Sequence, residues 1–178
     1  MAGFDNSSRE DLLKLIHVYA KNWLAHDGYW FQATEETLGL DSAIELDTKA
    51  WNRFAVTEAR RIMKEFEISP GSGLKGLERA LGYRLYAAIN KQSVEWIDEH
   101  TMIFRMVECR VQKTRTEKDL PLFPCKSVGI VEFTQFAQTV DSRIRTQCMS
   151  CPPDPTGEPF CAWQFSIDPQ QSEGRKHE

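Results

Sequence analysis

The chain has 178 residues, 41% of them hydrophobic and 27% charged, with a formal charge of −4 at neutral pH. This composition describes a folded domain, with or without an appended helical arm, and excludes a disordered chain. The negative total argues against a general nucleic-acid binder, whose basic face usually dominates the sum. No run approaches the roughly 18 apolar residues of a membrane span, and Met1 to Asp11 lacks the basic start and apolar stretch of a signal peptide, so the expected location is cytoplasmic, away from membranes.

From Ser7 to about Ala25 the apolar residues Leu12, Ile16, Ala20 and Trp23 recur at helical steps, and Ser8 stands three residues before Asp11 as in a capping box. His26-Asp27-Gly28 predicts a stop. A second helix is expected from Tyr29 to Leu38, closed by Gly39. A third, capped by Asp41 or Asp47, reaches Phe66 with a stripe of Trp51, Phe54, Ala55, Ala59 and Ile62 in which Glu58 is set. Pro70-Gly71-Ser72-Gly73 breaks the chain, and a fourth helix carries Leu74, Leu77, Leu81, Leu85, Ala88 and Ile89.

After Asn90 the period changes from helical to alternating. Ser93–Ile97 and Thr101–Gln112 read as strands, the second including Cys109, and Lys113 to Asp119 as a charged excursion. Pro124 suits a helix start, followed by Val128, Val131, Phe136 and Val140. Arg143–Ser150 and Pro159–Ile167 read as a hairpin around Cys151 to Gly157. The fold class is thus α+β: a helical region over 1–70, a cysteine-bearing α+β region over 71–168 sharing its core, and a disordered tail over 169–178.

A chain of this length buries roughly 70% of its unfolded surface and needs no cross-links merely to fold. Its five cysteines, reduced in the cytoplasm, therefore read as metal ligands, reactive thiols or buried packing residues. Cys125 falls at a predicted helix start, where N–H groups favour a thiolate. A hairpin closing symmetrically between Asp154 and Pro155 pairs Cys148 with Cys161, Thr146 with Trp163 and Ile144 with Phe165, all on the apolar face, and leaves Cys151 just inside the turn. Cys125, Cys148, Cys151 and Cys161 are the candidate ligands, for zinc or, as the alternative, iron. Cys109 reads as core.

The runs Cys109-Arg110-Val111-Gln112, Phe123-Pro124-Cys125-Lys126-Ser127-Val128-Gly129, Cys148-x-x-Cys151-Pro152-Pro153-Asp154 and Cys161-Ala162-Trp163-x-Phe165 resemble an uncharacterised family of prokaryotic cytosolic proteins. So do His26-Asp27-Gly28-x-Trp30-Phe31, Leu46-Asp47-x-x-x-Trp51 and Glu58-Ala59-Arg60-Arg61 in the first half. That family looks related to the aminothiazoline carboxylate hydrolases and, more distantly, is similar to vinyl-reductase-type ligand-binding domains. The resemblance implies a helical arm on an α+β sheet domain and a small-molecule pocket with thiol ligands.

Glu58 needs a partner on its apolar face, and His26, Arg84 and His17 are the candidates; a structural ion pair competes with a role as substrate contact or base. Three functions remain open at this point: a small-molecule-binding protein with a thiolate metal site, a hydrolase of a cyclic amide-like or thiazoline C–N bond using metal-bound water or a cysteine, with Cys125, Glu58 and His26 as its catalytic candidates, and an interaction module whose cysteines only pack and whose arm aromatics cover a partner, such as its own twin in a homodimer. A pocket is expected where the helices meet the sheet, walled by Trp23, Trp30 and Trp51, with Glu58 and the cysteines at its edge.

Overall fold

The computed structural model describes residues 4–154 and 160–172. Two compact units divide the chain, 1–43 and 44–178, so the division falls inside a helix rather than at the Pro70 break.

In the first unit a single helix, α1 (Arg9–Leu38), replaces the two expected. Ser8 caps it as its spacing predicts: its Oγ accepts from the Asp11 N–H at 3.1 Å and donates to the Asp11 carboxylate at 2.7 Å. His26-Asp27-Gly28 does not stop it. Without proline the three residues cost a helix only about 1 kcal/mol at the glycine and less at the others, which a long helix absorbs. The true stop is Gly39, whose φ of 83° suits only glycine and whose N–H bonds to Glu35 O at 2.9 Å.

Helix α2 (Leu40–Glu65) runs from the first unit into the second. Its buried stripe of Trp51, Ala55, Ala59, Ile62 and Met63 belongs to the second unit's core. Helix α3 (Gly73–Leu81) is shorter than its apolar period predicts. Gly82 interrupts it, and a 3-10 turn at Leu85–Ala88 follows; Tyr83 stacks flat on Phe66 with ring centroids 3.5 Å apart, and the break turns Arg84 into the interior.

Strands β1 (Lys91–Asp98), β2 (Thr101–Glu108), β3 (Arg145–Ser150) and β4 (Cys161–Ser166) form, among the described residues, an antiparallel sheet in the order β1-β2-β4-β3. Alternation places Val94, Trp96, Met102, Phe104, Met106, Trp163 and Phe165 on its core face. The second strand ends at Glu108, earlier than expected. Cys109 is the N-cap residue of a helix, α4 (Arg110–Glu117), in place of the expected strand end and charged excursion. The alternating period continues through Val111, but tertiary bonds override it: the buried Gln112 amide donates to Phe123 O at 2.8 Å and accepts from Phe123 N at 2.9 Å.

Helix α5 (Lys126–Val140) packs across the sheet. It comes close at Gly129, where a Cβ would stand 2.7 Å from Trp163 Cζ2. Asp141 locks its far end to the start of α3: the carboxylate accepts from Gly73 N at 3.0 Å and from Arg143 Nη2 at 2.6 Å, while Arg143 also donates to Gly71 O at 3.1 Å. Pro169–Ser172 forms a last helical turn where a tail was expected; the rest of that tail, 173–178, and the hairpin tip, 155–159, lie outside the described residues.

Candidate functional site

The α+β class expected from the change of period is the class observed, and all five cysteines lie in its second unit as free thiols. Each is placed by a different local feature. Cys109 and Cys125 are the N-cap residues of α4 and α5, Cys148 lies on β3, Cys151 directly follows β3, and Cys161 opens β4.

The hairpin register differs from the symmetric one. Cys148 faces Trp163, Thr146 faces Phe165, and a bulge between Cys148 and Ser150 shifts the ladder, so Cys148 and Cys161 are diagonal neighbours rather than a direct pair. An unsymmetrical connection absorbs the slip: Asp154 N bonds back to Cys151 O at 2.9 Å, and Pro152 O accepts from Lys126 N at 2.9 Å. Because the slip is an even number of residues at this point, both cysteines keep the core face.

The Sγ atoms of Cys125 and Cys151 stand 3.4 Å apart. The Cys151 thiol, almost fully buried, is raised well above its usual range by its hydrogen bonds to Cys125 and Cys161 and by burial. Cys161 moves the other way. Its sulfur accepts from Cys151, from Trp163 Nε1 at 3.3 Å and from the Met106 backbone, and these bonds outweigh burial to lower its pKa. Gln112 Nε2 lies 3.5 Å from Cys125 Sγ. Burial raises Cys148 against the pull of the Lys126 ammonium, and burial pushes the Cys109 thiol up to about 11. Lys126 in turn donates to both oxygens of Asp154, at 3.0 and 2.8 Å, clasping the start of α5 to the loop that follows β3. Among the described residues, no group of three or more His, Cys, Asp or Glu side chains is placed to hold a metal ion.

Glu58 is buried and its partner is Arg84, one of the three candidates: Arg84 Nε and Nη2 each lie 2.9 Å from Glu58 Oε2. A second carboxylate, Glu132 on α5, meets Arg84 Nη2 at 2.7 Å. Burial disfavours the guanidinium's charge, but Glu132 and Glu58 more than offset it and hold the pKa above the usual arginine value. Tyr86, Phe133, Phe136 and Trp51 surround the guanidinium. Glu132 also lies within electrostatic reach of Cys161, so the ion triad borders the sulfur cluster. Sequence reading missed Glu132, although it carries the signal that exposed Glu58: a carboxylate within an apolar stripe, here Val128, Gly129, Phe133 and Phe136.

His26, the remaining catalytic candidate, is exposed on α1 in the first unit, as are Tyr29 and Trp30. A groove of about 610 Å³ in the second unit is lined by Val56, Arg60, Met63 and Ile68 and by Gln135 and Thr139 of α5. Gln135 is ten residues along from Cys125, about 15 Å of helix, so this groove is separate from the sulfurs.

Among the described residues no helix is long and apolar enough to cross a membrane. No curated protein and no solved structure gives a significant match. A family model does match, over residues 5–167, which spans all five cysteines and the ion triad. The chain belongs to DUF6125, a family of unknown function.

Proposed function

We propose that this protein is a cytosolic small-molecule-binding protein that holds a transition metal, zinc first and iron as the alternative, through Cys125, Cys148, Cys151 and Cys161. The observation that carries the reading is the close pair Cys125 and Cys151, with Sγ atoms 3.4 Å apart, together with the hydrogen bond from Cys151 to Cys161. The four sulfurs do not stand as a metal-holding group in this structure and would have to close around the ion on binding. Tetrahedral zinc with Zn–S bonds of about 2.3 Å sets its sulfurs about 3.8 Å apart. The close pair therefore needs to open by only a few tenths of an ångström.

Anionic sulfur is favoured at Cys161, which accepts from Cys151 and from Trp163 Nε1, whereas at Cys148 and Cys151, whose pKa values are raised, the metal would have to displace the thiol proton. Cys109, the N-cap residue of α4, packs against the core and is left outside the ligand set. Four thiolates close the coordination shell, which favours a binding protein over the hydrolase suggested by the resemblance. The Glu58 carboxylate that a hydrolase would use is engaged by Arg84. The groove between α2 and α5 has the size of a small-molecule site, and its Arg60 and Lys64 favour an anionic ligand.

Elemental analysis of protein purified under reducing conditions tests the reading. About one zinc or iron per chain is expected, lost in Cys148→Ser and kept in Cys109→Ser. Metal-free protein of unchanged stability, or full metal in Cys148→Ser, would show instead that the cysteines only pack.

A further inference from the structure

We infer that Cys125 and Cys151 form an oxidation site, a dithiol that a hydroperoxide converts to a disulfide, and that this cross-link is the switch that empties the thiolate site. The cross-link follows from the sulfur geometry alone; only its consequence for a metal rests on the function proposed above.

The two sulfurs stand 3.4 Å apart, and a disulfide needs about 2.05 Å, a closure of about 1.3 Å. The backbones around them are tied together and not by the sheet. Lys126 N bonds Pro152 O, Lys126 Nζ bonds Asp154, and Asp154 N bonds Cys151 O, so the helix cap and the loop stay adjacent while their thiols turn. Cys161 is the poorer partner for Cys151, because its strand is hydrogen-bonded on both sides and its sulfur is held by the Trp163 indole. Cys148 has the same restraint on one side.

Access sets the order of events. Cys125 is half-buried at the mouth of the cluster, whereas Cys151 is 1% exposed. The Cys125 thiol attacks the outer peroxide oxygen, the O–O bond breaks, and Cys125 sulfenic acid and an alcohol form. Cys151 sulfur then attacks the sulfenic sulfur, the S–O bond breaks, and the hydroxyl leaves as water with the Cys151 proton. Two electrons pass from the two thiols to one hydroperoxide. Without Cys151 the thiol 3.4 Å away is gone, and the sulfenic acid oxidises further to the sulfinic acid.

The test uses cumene hydroperoxide on the full chain, once stripped of metal by a chelator under reduction and once loaded with zinc. One equivalent should lower the free thiols of the stripped protein from five to three, and dithiothreitol should restore five. Tryptic digestion should link the peptide 119–126 to the peptide 146–175, with fragment spectra assigning the bond to Cys151. In the loaded protein each cross-link should release one zinc to a chromogenic chelator. In Cys151→Ser the cross-link should vanish and Cys125 should appear as sulfinic acid. A sulfinic Cys125 in the unsubstituted chain, or a bond joining any other pair, overturns the inference whether or not zinc binds. A chain that cross-links as described but never holds zinc keeps the oxidation site and removes the metal reading alone.

Discussion

Replacing Arg84 by methionine tests whether charge balance or packing governs the interior beside the cysteines. The guanidinium is 2% exposed and joins Glu58 and Glu132, whose side chains are 9% and 10% exposed, at 2.7–2.9 Å. Methionine keeps most of the volume against Trp51, Tyr86 and Phe136 but leaves two buried carboxylates without a cation. Removing one member of a buried ion pair typically costs about 3–5 kcal/mol, and the second stranded carboxylate puts this case at the upper end of that range. The loss should depend on pH. Stranded carboxylates are destabilising only while charged, so the deficit of Arg84→Met relative to the parent should be greatest near pH 7 and shrink as falling pH protonates them. Urea denaturation at pH 7 and pH 5 measures both effects. Adding Glu58→Gln and Glu132→Gln to Arg84→Met should recover more than half of the loss. A deficit under about 1 kcal/mol at pH 7, or one that grows as the pH falls, would refute the charge argument.

Gly129→Ala should lower stability although alanine favours a helix by roughly 1 kcal/mol, because its Cβ meets the rigid Trp163 ring at 2.7 Å and overpacking of this kind costs about 1–3 kcal/mol; a urea midpoint at or above the parent's would contradict the close approach. If the cysteines hold zinc as proposed, Trp163→Phe, which keeps an aromatic ring but removes the N–H that Cys161 accepts, should lower zinc affinity about 10-fold or more in competition with a chromogenic chelator. Asp141, held below its usual pKa by Arg143 and the Gly73 N–H, contributes stability that is present above about pH 4 and is lost as the pH falls through its lowered folded value. The stability difference between the parent and Asp141→Asn should therefore be constant from pH 7 to about 5 and narrow below pH 4; a difference that widens on acidification would reverse the sign of that argument.

The apolar periods located most elements because each buries a face whose spacing is local. The α2 stripe, the alternation of β1 and β2, and the start of α5 after Pro124 are all of this kind. The misread segments are those where a distant bond outweighs local preference. Cys109 to Gln112 alternates like the strand before it, yet the Gln112 amide finds its partners on the Phe123 backbone and the chain turns into a helix. His26-Asp27-Gly28 carries three mild helix-disfavouring residues, and no stronger contact stops α1 until Gly39 adopts a positive φ. The hairpin register was unreadable for another reason. Parity alone fixes which face a residue takes, so Cys148 and Cys161 were legible as face-mates, but the pairing partner depends on the bulge and on how the proline-rich loop folds back on Cys151.

That difference between face and partner also explains what the sequence shows of the site. Burial decides the face, and an apolar pattern reports it; Glu58 betrays itself because a carboxylate on such a face requires a cation, and Arg84 was among the few on offer. Electrostatic state depends instead on single hydrogen bonds between remote positions. Cys151 and Cys161 are both buried cysteines of one hairpin, but the hydrogen bond from Cys151, joined by that of the Trp163 indole two residues along the same face of β4, lowers Cys161, while hydrogen bonds to its neighbouring thiols and burial raise Cys151. A strand residue and its i+2 neighbour always share a face. The Cys161-x-Trp163 spacing is therefore the part of this electrostatic asymmetry that is written locally, while the larger contribution, the bond from Cys151, depends on how the loop after β3 folds.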